Sequence, residues 1–117
     1  MPSPATGIDI DIDIDALSRF GRALADPIRC RILLTLRQAP SHPADLADRL
    51  DISRTRLSNH LACLRDCGLV VAVPEGRRVR YELADARLGR ALNDLRGTVL
   101  AVADDRTCPD ADAKDCC

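Results

Sequence analysis

A short helix, a tight turn and a longer helix are predicted in succession over residues 42–67, and this order constrains the fold more than any other feature of the chain. Apolar residues recur at helical spacing after Pro43, and the polar turn Asp51-Ile52-Ser53 follows them. Ser53 is a good N-cap for the longer helix, and Gly68 can end that helix. These features together form the helix-turn-helix pattern.

A predicted β-hairpin follows the longer helix directly. Two strand-like runs, 69–73 and 77–83, are joined by Pro74-Glu75-Gly76, and a hairpin placed directly after a recognition helix is a wing. Upstream, Asp26-Pro27 is a typical helix start, and an apolar stripe over residues 88–102 predicts a long last helix. The expected fold class is therefore mainly α with a small β-hairpin, a winged helix-turn-helix.

The two ends of the chain differ from its middle. Ile and Asp alternate from Ile8 to Asp15, which is formally a strand pattern, but repulsion among the aspartates favours an acidic flexible arm over residues 1–15. Asp15 can then cap the first helix. We expect one domain for DNA binding and dimerisation over residues 16–104, and a flexible tail containing cysteines over residues 105–117.

Aromatic side chains are nearly absent, since Phe20 and Tyr81 are the only two in 117 residues. The core must therefore be built from Leu, Val, Ile and Ala. A core of such small side chains favours the burial of a second apolar face between subunits. We expect a homodimer whose interface combines the last helix with the first.

The charge is unevenly distributed, although the formal net charge is only −1. All sixteen arginines lie within residues 19–106, whereas the head and the tail are acidic. Residues 53–80 alone carry six arginines against Asp66 and Glu75. Because a phosphate backbone responds to local charge, this segment is the predicted place of contact with double-stranded DNA.

The predicted recognition helix has one polar face. At 100° per residue, Leu57, Leu61 and Leu64 share one side, and the opposite side carries polar and small side chains that suit base edges and phosphates. The candidate DNA-binding residues on this helix and the wing are Arg54, Thr55, Arg56, Ser58, Asn59, His60, Arg77, Arg78 and Arg80. A solvated helix beside a charged hairpin is the alternative interpretation, and the helix-turn-helix-wing order argues against it.

Several function classes are disfavoured. No segment is apolar over enough residues to span a membrane, and the N-terminus lacks the basic and apolar blocks of a secretory signal, so we expect a cytoplasmic protein without a membrane partner. No nucleophile with a positioned base and no phosphate-binding loop is recognisable, which argues against an enzyme. In a reducing compartment, six cysteines are more typical of metal ligands or sensors than of disulfides.

Cys63 and Cys67 are four residues apart on the predicted recognition helix, so their sulfurs can share one ion. They lie on a flank between the leucine side and the DNA side of this helix. Cys108 is the candidate third ligand, from the same subunit or from its partner. Three thiolates suit large soft ions such as Cd(II) and Pb(II), whereas Zn(II) is expected to bind only weakly.

The other cysteines leave alternatives open. Cys116 and Cys117 are adjacent, and they are either a secondary metal site or an inert end. Cys30 lies among apolar residues and is expected in the core. The pair on the recognition helix could instead be oxidised, as in a thiol-redox sensor, and Cys108 with the terminal pair could bind arsenite.

Three segments resemble the ArsR/SmtB family: GRALADPIRCRIL from Gly21, SNHLACLRDCGLV from Ser58 and EGRRVRY from Glu75. The likeness covers roughly residues 16–108, and the Cys-Leu-x-x-Cys motif is a mark of a branch that senses cadmium and lead. The resemblance implies a homodimeric repressor that binds an inverted-repeat operator when metal-free and releases it when metal binds. It also implies ligands at Cys63, Cys67 and Cys108, the last from the other subunit.

Overall fold

The computed structural model describes the backbone of residues 9–105 and the side chains of residues 9–102. Over this range the elements, in chain order, are α1 (Ile10–Leu24), α2 (Pro27–Gln38), α3 (Pro43–Leu50), α4 (Arg54–Asp66), β1 (Val70–Glu75), β2 (Arg78–Leu83) and α5 (Ala86–Asp105). The fold is therefore mainly α with one antiparallel hairpin, in which α3 and α4 form the helix-turn-helix and β1 and β2 form the wing. No helix of the described part is long and apolar enough to cross a bilayer.

The first helix begins earlier than the sequence pattern predicts. Asp9, not Asp15, is its N-cap, and the Asp9 carboxylate accepts hydrogen bonds from the backbone N–H groups of Asp11 and Ile12. Residues 10–15, assigned to a flexible arm, are helical, so this prediction was wrong. Acidic side chains in a first turn are stabilised by the helix dipole, which offsets their mutual repulsion. Asp15 instead pairs with Arg19 one turn later, at 2.9 Å.

The core is aliphatic and lies where α2, α3 and α4 meet, with single contributions from α1, β1 and α5. Its buried members are Ala23, Ile32, Leu33, Leu36, Leu46, Ala47, Leu50, Leu57, Leu61, Leu64, Val70 and Leu92. Phe20 and Tyr81 pack against this cluster but are only partly buried. This agrees with the expectation that Leu, Val, Ile and Ala build the core.

The wing is tighter than predicted. Glu75 pairs with Arg78, so the turn consists of Gly76 and Arg77 and not of Pro74-Glu75-Gly76. Gly76 has φ 63°, a conformation that a side chain disfavours and that two-residue hairpin turns require. The base of the wing is joined to the segment before α3, because Ser41 and Tyr81 exchange two backbone hydrogen bonds of 3.0 and 2.8 Å.

Candidate DNA-binding surface and thiol site

The recognition helix α4 presents its polar face to solvent. The Ser53 hydroxyl accepts from the backbone N–H of Arg56 at 3.1 Å, as the N-cap prediction requires. The three leucines of the opposite face are at most 3% exposed and fix the helix to the core. Five of the predicted contacts on this helix are exposed, namely Arg54, Thr55, Arg56, Ser58 and Asn59. The helix is thus anchored on one side and available to a groove on the other.

His60 differs from the five exposed residues because it is half-buried, and its charge acts on Asp26, the N-cap of α2. Partial burial acts to raise the pKa of Asp26, but hydrogen bonds from the backbone N–H groups of Arg29 and Ile28 lower it. The charge of His60 lowers this pKa further. His60 therefore lies near the start of α2. Its predicted contact with DNA remains a prediction.

The turn between the two helices contains one strained residue. Asp51 has φ 55° and ψ 51°, in the left-handed region where aspartate is tolerated better than most side chains. The turn is closed by a 3.1 Å hydrogen bond from the backbone N–H of Ile52 to the Ala47 carbonyl. This geometry sets the direction in which α4 leaves α3.

The three candidate arginines of the wing have different surroundings. Arg77 and Arg78 are exposed at the turn. Arg80 is held by two carboxylates, with its Nη1 atom 2.6 Å from Glu75 and its Nη2 atom 3.2 Å from Glu82. For Arg80 to contact DNA, its guanidinium would have to leave these carboxylates or be shared between them and a phosphate. Arg77 and Arg78 could contact DNA without such a rearrangement.

A cleft of about 380 Å³ lies between the wing and the start of the helix-turn-helix. Arg54 at the first position of α4 lines it, together with Arg77 and Arg78 from the wing. Three arginines around one open cleft produce a local positive potential that attracts phosphate. The structure thus brings together basic residues that the sequence placed on two separate elements.

His42 has a role that the sequence did not reveal. It occupies the N-cap position of α3, but its side chain makes no capping hydrogen bond. Its ring Nε2 atom instead lies 2.8 Å from Oε1 of Glu75 in the wing. The two residues are 33 positions apart, so no local pattern could have indicated this contact.

Cys63 and Cys67 lie together at the end of α4, and both are half-buried. Burial raises the pKa of the Cys67 thiol, and the neighbouring Cys63 raises it further, partly through a hydrogen bond between the two side chains. Arg22 and Arg19 of α1 act on this pKa in the opposite direction. The raised pKa of Cys67 disfavours its thiolate in the absence of metal, and a divalent cation would supply the positive charge that two thiolates need.

The described residues supply only part of a metal site. No group of three or more His, Cys, Asp or Glu side chains within them is placed to hold an ion. Cys63 and Cys67 fit the role of two soft donors, since their sulfurs are close and partly shielded from water. The other predicted donors, Cys108, Cys116 and Cys117, lie outside the described residues.

Cys30 is less buried than expected. Its side chain is half-buried beside the core, and its Sγ atom donates to the Leu24 carbonyl at 3.1 Å. Burial raises the pKa of this thiol, and Asp26 raises it further. Cys30 is therefore an inert packing residue at the margin of the core and provides a natural control for the pair on α4.

Two helices carry large apolar side chains that are exposed in the single chain. They are Ile10, Ile12, Ile14 and Leu17 on α1 and Leu95, Val99, Leu100 and Val102 on α5. Leu92 on the same stripe of α5 is buried, so this helix continues beyond the core that covers its first half. Apolar surface of this extent is typical of an interface.

Comparison with known proteins relates this chain to bacterial regulators. Residues 26–71 match the model for bacterial regulatory proteins of the arsR family. The HTH-type transcriptional regulator CmtR of Mycobacterium bovis is 58% identical over 93 residues, which cover 80% of this chain and 79% of that protein. A probable mercury resistance operon repressor of Streptomyces lividans is 38% identical over 103 residues, covering 88% of this chain and 76% of the relative.

Solved structures give the same relationship. The NMR structure of the cadmium metal-sensor CmtR from Mycobacterium tuberculosis superposes with a TM-score of 0.62 at 55% identity, covering 80% of this chain and 98% of that one. The homodimeric winged helix-turn-helix domain Mb0332 from Mycobacterium bovis has a TM-score of 0.72 at 29% identity, covering 85% of this chain and 92% of the other. Both the sequence and the three-dimensional arrangement of this chain are thus those of a winged helix-turn-helix regulator.

Proposed function

The chain belongs to the arsR family of bacterial regulatory proteins, and from this premise we propose that it is a metal-responsive transcriptional repressor. In this proposal the metal-free protein binds operator DNA, and Cd(II) or Pb(II) binding to cysteine thiolates releases it. Its relatives are transcriptional regulators, and nothing in the proposed activity calls for catalysis. It acts in the cytoplasm, where the operator is.

The observation that carries the proposal is that α4 bears both an exposed polar face and, at its end, the cysteine pair. Its exposed face bears Arg54, Ser58 and Asn59, while Cys63 and Cys67 occupy the end of the same helix. An ion bound to the thiols therefore need not compete with DNA for the same atoms. It would instead change the pose of the helix that enters the groove, which is a coupling between two distinct sites.

The DNA complex we propose uses two copies of the chain. The exposed apolar stripes of α1 and α5 support a homodimer, and the relative Mb0332 is homodimeric. A two-fold dimer places two recognition helices on related half-sites, so an inverted repeat is the expected operator. Arg54, Arg77 and Arg78 of each copy would neutralise phosphates next to these half-sites.

For the metal site we propose Cys63, Cys67 and Cys108 as the ligands, with Cys108 contributed by the partner subunit. Three thiolates favour Cd(II) or Pb(II), because Zn(II) prefers four ligands that include nitrogen or oxygen. CmtR from Mycobacterium tuberculosis is a cadmium metal-sensor, and its 55% identity to this chain supports the same class of inducer. Cys116 and Cys117 are a candidate secondary site.

The proposal is tested in two steps on the reduced, full-length protein. Double-stranded operator is first selected from a random DNA pool, and its affinity is measured by fluorescence anisotropy. Cd(II) is then titrated, and we expect ultraviolet thiolate-to-metal charge transfer together with weaker operator binding. Cys63→Ser and Cys67→Ser should each abolish both changes while leaving metal-free operator binding intact.

Cys30→Ser is the matched control, since it removes a half-buried thiol on a different helix, α2, whose hydrogen-bond partner is the Leu24 carbonyl. It should respond to Cd(II) like the wild type. Retention of charge transfer and of Cd(II)-induced release in Cys63→Ser would contradict the proposed site. Release by peroxide but not by Cd(II) would instead select the redox interpretation. Deletion of Cys116 and Cys117 should leave the Cd(II) response unchanged, and its loss would favour a site built on the tail.

A further inference from the structure

The His42 side chain joins α3 to the wing. It is 22% exposed, and its Nε2 atom lies 2.8 Å from Oε1 of Glu75. The Asp45 carboxylate is a weaker neighbour, 3.9 Å from Nδ1 of the same ring and itself 64% exposed. Of the two carboxylates near the ring, the one in the wing is therefore the one in hydrogen-bonding contact.

The contact continues through the wing as a chain of charges. The second oxygen of Glu75 accepts from Arg80 at 2.6 Å, and Arg80 also reaches Glu82 at 3.2 Å. Glu75 directly precedes the Gly76-Arg77 turn, whereas the backbone link of Ser41 to Tyr81 lies nearer the base of the hairpin. The ring of His42 thus secures the hairpin close to its tip, where the backbone link does not reach.

This position matters because the tip bears positive charge. Arg77 and Arg78 line the same cleft as Arg54, and like charges around one cleft repel each other when no phosphate is present. A two-residue turn at the end of a two-stranded hairpin has little packing to resist that repulsion. The hydrogen bond from His42 to the Glu75 carboxylate opposes it.

We propose that His42 is a positioning residue for the wing: through Glu75 it holds Arg77 and Arg78 in the pose that meets the DNA backbone. This inference rests on the proposed function, because it assumes that the wing binds operator. It assigns to Glu75 the role of the acceptor through which His42 acts. Arg80 takes part by holding the other oxygen of the same carboxylate.

The experiment measures operator affinity of the metal-free protein by fluorescence anisotropy for wild type, His42→Ala and His42→Gln. His42→Ala should weaken binding about tenfold, the size expected for one hydrogen bond to a charged group. His42→Gln should recover most of this loss, because its amide N–H can donate to Glu75. Asp45→Asn is the matched control, since it alters the distant neighbour of the ring, and it should bind at least as tightly as wild type.

A double-mutant cycle separates positioning from direct contact. Arg77→Ala should weaken binding severalfold in the wild type but by less than twofold in His42→Ala, where the wing is no longer held. An equal loss in both backgrounds would overturn the inference, as would wild-type affinity of His42→Ala. Glu75→Ala provides a second route if His42→Ala fails to fold, and Arg77→Ala should lose its effect in that background too. Failure of the wild type itself to bind any selected DNA would instead refute the proposed function.

Discussion

Nε2 of His42 lies 2.8 Å from Oε1 of Glu75, and this contact links the first helix of the helix-turn-helix to the wing across 33 residues. It attaches the wing to the start of α3 near the tip of the hairpin, in addition to the backbone link between Ser41 and Tyr81. The candidate DNA-binding surface is a composite of two elements. Its arginines come from α4 and from the wing, and their relative placement depends on a residue that belongs to neither element.

The Glu75 carboxyl should titrate with a pKa below that of an ordinary glutamate. The hydrogen bond from His42, and then Arg80, lower the pKa of this carboxyl against the opposing effect of burial. Because the pKa of Glu75 is lower in the folded protein than in the unfolded chain, the contact contributes its full stabilisation at pH values above the ordinary glutamate pKa. This contribution to the free energy of unfolding is lost as the pH falls through the pKa of the folded protein. NMR titration of the Glu75 carboxyl should show the shift, and His42→Ala should move its pKa upward. An unchanged Glu75 pKa in that variant would contradict the contact.

Arg77 and Arg80 should differ in the salt dependence of DNA binding. Arg77 is exposed at the turn, so Arg77→Ala should reduce the slope of log K against log salt concentration by about 1. Arg80 is paired with Glu75 and Glu82, so Arg80→Ala should change this slope much less. Anisotropy titrations at several salt concentrations measure both slopes. Equal reductions would show that Arg80 leaves its carboxylates to bind phosphate.

Val99→Glu should produce a monomer. Val99 is 56% exposed on α5, and a carboxylate there would be buried without a partner in the proposed dimer interface. Sedimentation equilibrium should show loss of dimer, accompanied by much weaker operator binding because half-sites are then bound singly. Asp94→Lys changes an exposed charge on the opposite side of the same helix and should remain dimeric. A dimeric Val99→Glu protein would exclude this stripe from the interface.

Asp51 should tolerate glycine but not a β-branched residue. Its φ of 55° lies in the left-handed region, where Val is strongly disfavoured. Asp51→Val should lower the free energy of unfolding by about 1–2 kcal/mol, whereas Asp51→Gly should be near the wild-type value. Urea denaturation of the two variants provides the comparison. Equal stability of the Val and wild-type proteins would mean that the turn adopts another conformation.

Local sequence patterns predicted most of the architecture correctly. The N-caps Asp26 and Ser53 are confirmed by their hydrogen bonds to backbone N–H groups, and the leucines of α4 are buried as the 100° rotation requires. These predictions succeeded because caps and amphipathic faces depend on residues within one or two turns of each other. The start of α1 was misplaced because the alternation of Ile and Asp is locally typical of a strand. In the structure these residues are helical, and Asp9 caps the helix.

Contacts within one helix could be predicted from the sequence, whereas contacts between distant parts of the chain could not. The i, i+4 spacing by itself determined that Cys63 and Cys67 can meet, because both lie on one helix. Only the tertiary structure decided that His42 serves the wing and not its own helix, and that Arg80 is held by carboxylates while Arg77 is not. The physical reason is that a hydrogen bond or an ion pair depends on a separation of about 3 Å, which a sequence specifies only when the two residues share an element.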